Sequence, residues 1–552
     1  MKKLSKLLAV GLTAAMAIGM SAGAVMADGG DIYVMFGTNV MSLDTNLATD
    51  GDSFEIIADC IDGLTQMDAE GAAIPAIAES WDLSEDGCTY TFHLRDDAVW
   101  SNGEPVTAAD FEFAWKTGVV ANAEYGYMFS DIGNIKNAAS IMSDGADPET
   151  LGIKAIDDKT LEVQLEVPVS FFPDLMYFPT FYPINQAFYE ECGDTYGTSP
   201  DTFLSNGAFV LDDYVPGAAS MTVVKNPDYY DADSVSLDSI TYQVVGSSDQ
   251  ALTGFKSNNL DLCMVSGDQV SAVEEDPELA DKLSITGAGY MWYLSFSQTE
   301  NPSSDGSLAN QNLRLAISNS IDRESLVDNY VKDGSIATYT AVPPQFAASA
   351  TTSEDFSADQ DRFKDYIGFN PDKAAEYYEA AKEELGTDEF QFTMIFGNNE
   401  GDEVTKVAQA LKEQIEAALP GMTIDLQAMT KNERLDKMQN DDYCIALTRW
   451  GPDYADPMTY LGMWITDNAN NYGFWSNADY DQLIKDCTTG AYITDYDARW
   501  DAMLQAEELV LQEAVIAPLY TKANANLIAP ELQGVEFHPQ ALNRVYKRAT
   551  FE

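Results

Sequence analysis

The sequence predicts an α/β protein of at least two lobes with a ligand cleft between them. Three observations carry this. The chain has 552 residues, 45% hydrophobic and 11% aromatic, enough for a sizeable core and more than one folding unit. Short strand patterns dominate the first half. In the second half, helix and strand patterns alternate at the spacing of an α/β lobe.

The chain opens MKKLSKLLAVGLTAAMAIGMSAGAVMADGGD. Lys2, Lys3 and Lys6 precede an uncharged run over 7–27, which ends Val25-Met26-Ala27 before Asp28. This predicts a secretory signal over residues 1–27, cleaved after Ala27, with a retained anchor as the alternative. No cysteine precedes Cys60, so a lipid-attached amino terminus is not expected. Later in the chain, no segment approaches the ~20 uncharged apolar residues of a spanning helix.

"CTYTFHLRDDAVW" has the aromatic and β-branched content of a strand. In "TLEVQLEV", Leu161, Val163, Leu165 and Val167 alternate with polar residues, the period of a half-buried strand. "SNGAFVLDDYVPGAASMTVVKN" reads as two strands around a turn at Pro216-Gly217. "PDKAAEYYEAAKEEL" opens with Pro371 and continues in helix formers. "EVTKVAQALKEQIEAALPG" places Val404, Val407, Leu411, Ile415 and Ala418 on one helix face and stops at Pro420-Gly421. "MTIDLQAM" follows as a strand, "KNERLDKMQN" as a helix and "YCIALTRW" as a strand.

Several function classes are excluded. A formal charge of −60 repels nucleic acid, so no nucleic-acid partner is expected. The six cysteines form no CxxC pair, and their pairing, if any, stays open. Two histidines, His93 and His538, give no HExxH and little material for a metal. The GxSxG at 19–23 falls in the leader, and no P-loop, GxGxxG or EF-hand loop occurs. Neither a cofactor nor a metal is expected.

After the strand "YCIALTRW" comes "WGPDYADP" (450–457), at the carboxyl end where open α/β sheets bind ligands. Asp456 precedes Pro457 and fits an amino-terminal cap of the helix begun by "PMTYLGMW". Asp453 does not fit that role and is the candidate for facing a ligand. A glycoside hydrolase using Asp453 is the remote alternative.

Four stretches resemble the extracytoplasmic peptide-binding proteins of ABC transporters. They are "AIPAIAESWDLSEDGCTYTFHLRDDAVWSNGEPVTAADFEFAWK" (74–116), "LGIKAIDDKTLEVQLEVPVSFF" (151–172), "SNGAFVLDDYVPGAASMTVVKNPDYYDA" (205–232) and "QNLRLAISNSIDRESLV" (311–327). The oligopeptide-binding branch is the nearest. The resemblance implies a periplasmic-binding-protein type II-like fold, two main lobes with an extra third domain. Lobe I would take 28–50, 200–289 and 524–552, lobe II (the extra domain) 51–199, and lobe III 290–523. It implies a monomer outside the cytoplasm, periplasmic or extracellular, that is not an enzyme and passes peptides to a membrane permease. Related members carry nickel chelates or oligosaccharides, which stand as the alternative.

The resemblance also assigns a site. Asp453 aligns with the Asp that pairs with a peptide's α-ammonium. Backbone at Arg449, Trp450 and Gly451, and near Val40, Met41 and Ser42, would pair with the peptide as an added strand. The branch's Arg two residues before Arg449, which can meet a short peptide's carboxylate, is Leu447 here.

Overall fold

A computed structural model describes residues 30–37, 39–69, 71–121, 125–169, 171–349, 351–352, 354–493, 495–540 and 542–552. The expected leader, residues 1–27, lies outside the described residues.

The larger of two principal sheets contains β1 (Asp31–Phe36), β2 (Phe209–Asp213), β3 (Ser220–Lys225), β4 (Ser239–Val244) and β5 (Leu262–Val265). It continues with β6 (Leu283–Phe296), β7 (Phe390–Gly397), β8 (Met422–Met429), β9 (Ile445–Trp450) and β10 (Ile516–Ile528). Their spatial order is β8-β7-β9-β6-β10-β5-β1-β4-β3-β2, and the two-residue strand Ile336–Ala337 pairs with β10 to make eleven. The smaller sheet is antiparallel, with Ala78–Leu83, Thr89–Leu94, Thr160–Gln164 and Ile153–Asp157 side by side. The fold is α/β, as expected.

Sequence pattern accounts for the elements. Ile32, Val34 and Phe36 of β1 are buried on alternate positions, and β1 lies between parallel β4 and β5. β2 and β3 form the hairpin expected around Pro216-Gly217, with Gly217 at φ +78°. In the second half, β7 and β8 pair in parallel, joined by α3 (Asp402–Ala418). Val404, Val407, Leu411 and Ile415 are fully buried on its expected face, and Ala418 packs partly buried against the same core. α4 (Lys431–Gln439) leads into β9, which joins β7 from the other side, also in parallel. The helices α1 (Gly51–Cys60) and α2 (Ala108–Ala121) belong to the 51–199 segment. α2 buries Phe111 and Trp115, and the Trp115 indole donates to the Phe181 carbonyl at 2.8 Å.

Two long strands knit the large sheet. β6 and β10 pair antiparallel, with register irregularities at Gly287/Met291 and Trp292/Tyr293. The amino half of β6 meets only β10, whereas its carboxyl half also meets β9. β10 ends beside β5. The lobe limits expected at 289/290 and 523/524 therefore fall inside these two strands.

The six cysteines are all free thiols: Cys60, Cys88, Cys192, Cys263, Cys444 and Cys487. Among the described residues no helix is long and apolar enough to cross a membrane, and no group of three or more His, Cys, Asp or Glu side chains is placed to hold a metal.

Candidate functional site

β9 delivers the chain to the edge of the sheet at Trp450, and the loop that follows enters a cleft of about 280 Å³. The 51–199 segment lines it with Phe54, Tyr125 and Phe178. These rings pack on one another, with centroids 5.1–5.3 Å apart. The facing wall carries Glu400, Lys431, Arg434, Arg449, Trp450, Gly451 and Asp453.

Thr459 staples the loop. Its hydroxyl accepts the Asp453 amide at 3.0 Å, and its carbonyl accepts the Trp450 indole at 2.8 Å. Gly451 is required by a close approach, since a Cβ there would lie 2.3 Å from the Tyr290 ring. Tyr290 in turn follows Gly289, at φ +69°, where a Cβ would meet the Pro539 carbonyl and the Pro452 ring. Two glycines thus allow the loop, β6 and the carboxyl-terminal segment to meet at the cleft.

The Asp453 carboxylate accepts a hydrogen bond from the hydroxyl of Tyr127, which belongs to the 51–199 segment. Burial pushes its pKa up to about 6, and the Tyr127 bond opposes this. Among the described residues no cation lies within ion-pair distance of it. Tyr127 is raised well above its ordinary value by burial and by the Asp453 charge.

A second charged group lies on the same wall. Glu400 is shared between two arginines, Oε2 with Arg434 at 2.8 Å and Oε1 with Arg449 at 3.3 Å. Arg434 also donates to the Thr448 hydroxyl of β9. The Arg449 guanidinium lies 4.3 Å over the Tyr290 ring.

The remaining sequence candidates fall elsewhere. Leu447 is fully buried in the core behind β9, opposite Leu294. Val40, Met41 and Ser42 lie on the loop before α1. The Met41 and Ser42 amides both donate to the Ser53 hydroxyl, at 3.0 and 3.3 Å, so two amides expected to pair with a peptide are satisfied within the chain. Val40 is buried and Met41 exposed; none of the three lines the cleft, whereas Gly51 and Phe54 of α1 do.

Asp456 needs a correction. One oxygen accepts the Met458 amide at 2.9 Å, the capping contact expected. Its main partner is Arg499 of α5 (Tyr496–Gln512), bound through both oxygens at 2.7 and 2.9 Å with both side chains almost wholly buried. A buried fork-to-fork ion pair outweighs one amide contact. Tyr127, Glu400 and Arg434 had no signal in the sequence: a lone tyrosine, a loop acid and a helix arginine are common, and only the fold brings them to one cleft.

Comparison with known proteins agrees with this architecture. The family model described as "Bacterial extracellular solute-binding proteins, family 5 Middle" matches residues 72–472. The chain is 32% identical to the dipeptide-binding protein of Lactococcus lactis subsp. cremoris, covering 92% of this chain and 91% of that one. It superposes on the substrate-binding domain of an oligopeptide ABC transporter from Bacillus anthracis with TM-score 0.77 at 34% identity, covering 95% and 99%. It superposes on peptide-bound OppA of Listeria monocytogenes with TM-score 0.76 at 31% identity, covering 95% and 99%. The four sequence blocks, the cleft at the carboxyl end of β9 and these likenesses converge, and the chain belongs to the bacterial extracellular solute-binding proteins of family 5.

Proposed function

We propose that this protein captures peptides outside the cytoplasm and delivers them to a membrane ABC permease. The family is one of binding proteins, so the chain binds a solute rather than transforming one. The observation that carries the peptide reading is Asp453, a half-buried carboxylate with one neutral partner and no cation. A peptide's α-ammonium supplies the missing charge, and a carboxylate left unpaired in a closing cleft is costly. The relatives named above, one a dipeptide-binding protein and one solved with peptide, support the same class. A nickel chelate or an oligosaccharide offers no ammonium for Asp453 and is disfavoured.

In this reading residues 28–50, 200–289 and 524–552 form one lobe, 51–199 a second and 290–523 a third, and the protein acts as a monomer. β6 and β10 are the crossing strands about which the lobes close on ligand. The mature chain begins at Asp28 without lipid, which amino-terminal sequencing of protein from the native host tests. Mass spectrometry of solute released from protein purified without refolding tests the function. Peptides in stoichiometric amount support it, and a co-purified sugar or metal chelate overturns it.

A further inference from the structure

Resting on the peptide reading, we infer that the cleft selects an aromatic side chain at the peptide's first residue, received by Tyr125, Phe54 and Phe178. Among the described residues, the 51–199 segment lines the cleft with Gly51, Phe54, Tyr125 and Phe178, none of them charged. The charged side chains of the lining, Glu400, Lys431, Arg434, Arg449 and Asp453, all come from residues 400–453. The lining is thus sorted by segment, and 51–199 offers rings alone. Those rings form one preassembled surface. The Phe54 ring meets Tyr125 edge-on at 5.2 Å between centroids and Phe178 at 5.1 Å, and Tyr125 lies 5.3 Å from Phe178. Phe54 and Phe178 are buried and Tyr125 is half-buried, so packing holds the rings in place before a ligand arrives.

The position of this surface decides which residue of the peptide meets it. Tyr127 stacks on Tyr125, with centroids 6.2 Å apart and planes inclined by 29°, and the Tyr127 hydroxyl bonds the Asp453 carboxylate. The surface therefore begins one ring away from the group that takes the α-ammonium. In a peptide, the ammonium nitrogen and the first side chain are attached to the same carbon, so anchoring one delivers the other beside Tyr125. The second side chain of an extended peptide points to the opposite face, away from the rings. Chemistry then selects the side chain. A charged group at the first residue would lose its water against rings that carry no counter-charge, because Asp453 is taken by the ammonium. Ring faces attract a cation, but not enough to offset burying an unpaired charge. Alanine covers little of the rings. An aromatic side chain buries apolar area against all three and extends their edge and offset contacts.

Calorimetry on the full mature chain with five tripeptides tests this: Ala-Ala-Ala, Phe-Ala-Ala, Ala-Phe-Ala, Lys-Ala-Ala and Glu-Ala-Ala. Phe-Ala-Ala binds tenfold or more tightly than Ala-Ala-Ala, Ala-Phe-Ala stays within threefold of it, and the two charged peptides bind no more tightly than it does. Tyr125→Ser lowers the ratio of Phe-Ala-Ala to Ala-Ala-Ala affinity at least threefold. Tyr125→Phe, which keeps the ring and loses the hydroxyl, restores that ratio. The peptide comparison on the unaltered chain decides the matter even where Tyr125→Ser fails to fold. Equal affinities of Phe-Ala-Ala and Ala-Ala-Ala, an equal gain from Ala-Phe-Ala, or a gain from Lys-Ala-Ala overturns the aromatic subsite and leaves the peptide reading intact. An undiminished ratio in folded Tyr125→Ser also overturns it. Failure of all five peptides to bind overturns the peptide reading itself, and this inference with it.

Discussion

The Tyr127 hydroxyl, from the 51–199 segment, is the hydrogen-bonding partner of the Asp453 carboxylate on the loop after β9. The two residues come from segments distant in sequence, so this bond ties the loop after β9 to the 51–199 segment.

Removing either half of an Asp453–ammonium pair strands the other half in a desolvated cleft, at about 3–5 kcal/mol. That is roughly two to four decades of affinity. Asp453→Asn and N-acetylation of the peptide are each expected to cause a loss of this order. The two losses do not add, because both delete the same pair. Calorimetry on the four combinations of protein and peptide measures the coupling. Full additivity rejects the assignment.

The raised pKa of Asp453 has two consequences with opposite signs. Only the ionised carboxylate attracts an ammonium, so peptide affinity is expected to hold from pH ~6 up to about 8, where the α-ammonium itself deprotonates, and to fall by up to about tenfold per unit below pH ~6. For folding, a carboxyl raised from 3.8 to about 6 stabilises the native state most below 3.8, and this contribution is lost as pH rises through 6. Asp453→Asn keeps the neutral form at all pH values. At pH 7.5 it should therefore be more stable than the parent chain, by roughly 1–2 kcal/mol after discounting for partial exposure. Denaturant midpoints at pH 4 and pH 7.5 check this. A stabilisation equal at both values rejects the electrostatic cause.

Much of the fold was legible because local pattern and tertiary environment agree. The face Val404, Val407, Leu411, Ile415 and the strands beside it appear in the core where periodicity puts them. β6 and β10 gave weaker signals. "LSITGAGYMWYLSF" and "IAPLYTKANANLI" are buried on both faces over much of their length, so neither alternates cleanly, and glycines and a proline interrupt them. At the site, Asp453 stood out by its position after a strand. Its partner Tyr127, and the Glu400 bridge to Arg434 and Arg449, depend on contacts distant in sequence, which no local pattern encodes.

Asp456 illustrates the same limit, and its pairing changes the expected cost of mutation. As a cap alone, Asp456→Asn would cost about 1 kcal/mol. With Arg499 buried against it, the substitution leaves a guanidinium unpaired, and about 3–5 kcal/mol of stability is expected to be lost. Arg499→Met should cost a similar amount, and Asp456→Asn/Arg499→Met together less than the sum of the single changes. Urea unfolding of the variants measures this. Purely additive losses would show that the two side chains act independently.

The residue after Asp453 offers a separate handle on lobe closure. The Tyr454 ring stacks on Phe171 of the 51–199 segment, with centroids 4.9 Å apart and planes inclined by 14°. Tyr454 is buried, and Arg499 lies 5.8 Å from the Phe171 ring, so the stack continues the Asp456 ion pair toward the opposite wall. An aromatic pair of this kind contributes about 0.5–1.5 kcal/mol beyond its buried area. If the lobes close about the cleft, this pair acts only when the walls are together. Phe171→Ala removes the stack without touching Asp453, Arg449 or the cleft lining. It should shift the ligand-free protein toward an open form, with a larger radius of gyration by small-angle scattering. Peptide affinity should fall by roughly two- to tenfold, because binding must now also close the lobes. With saturating peptide the variant and the parent chain should reach the same compact radius. An unchanged radius in the ligand-free variant, with affinity intact, would assign the stack to local packing and leave closure to β6 and β10 alone.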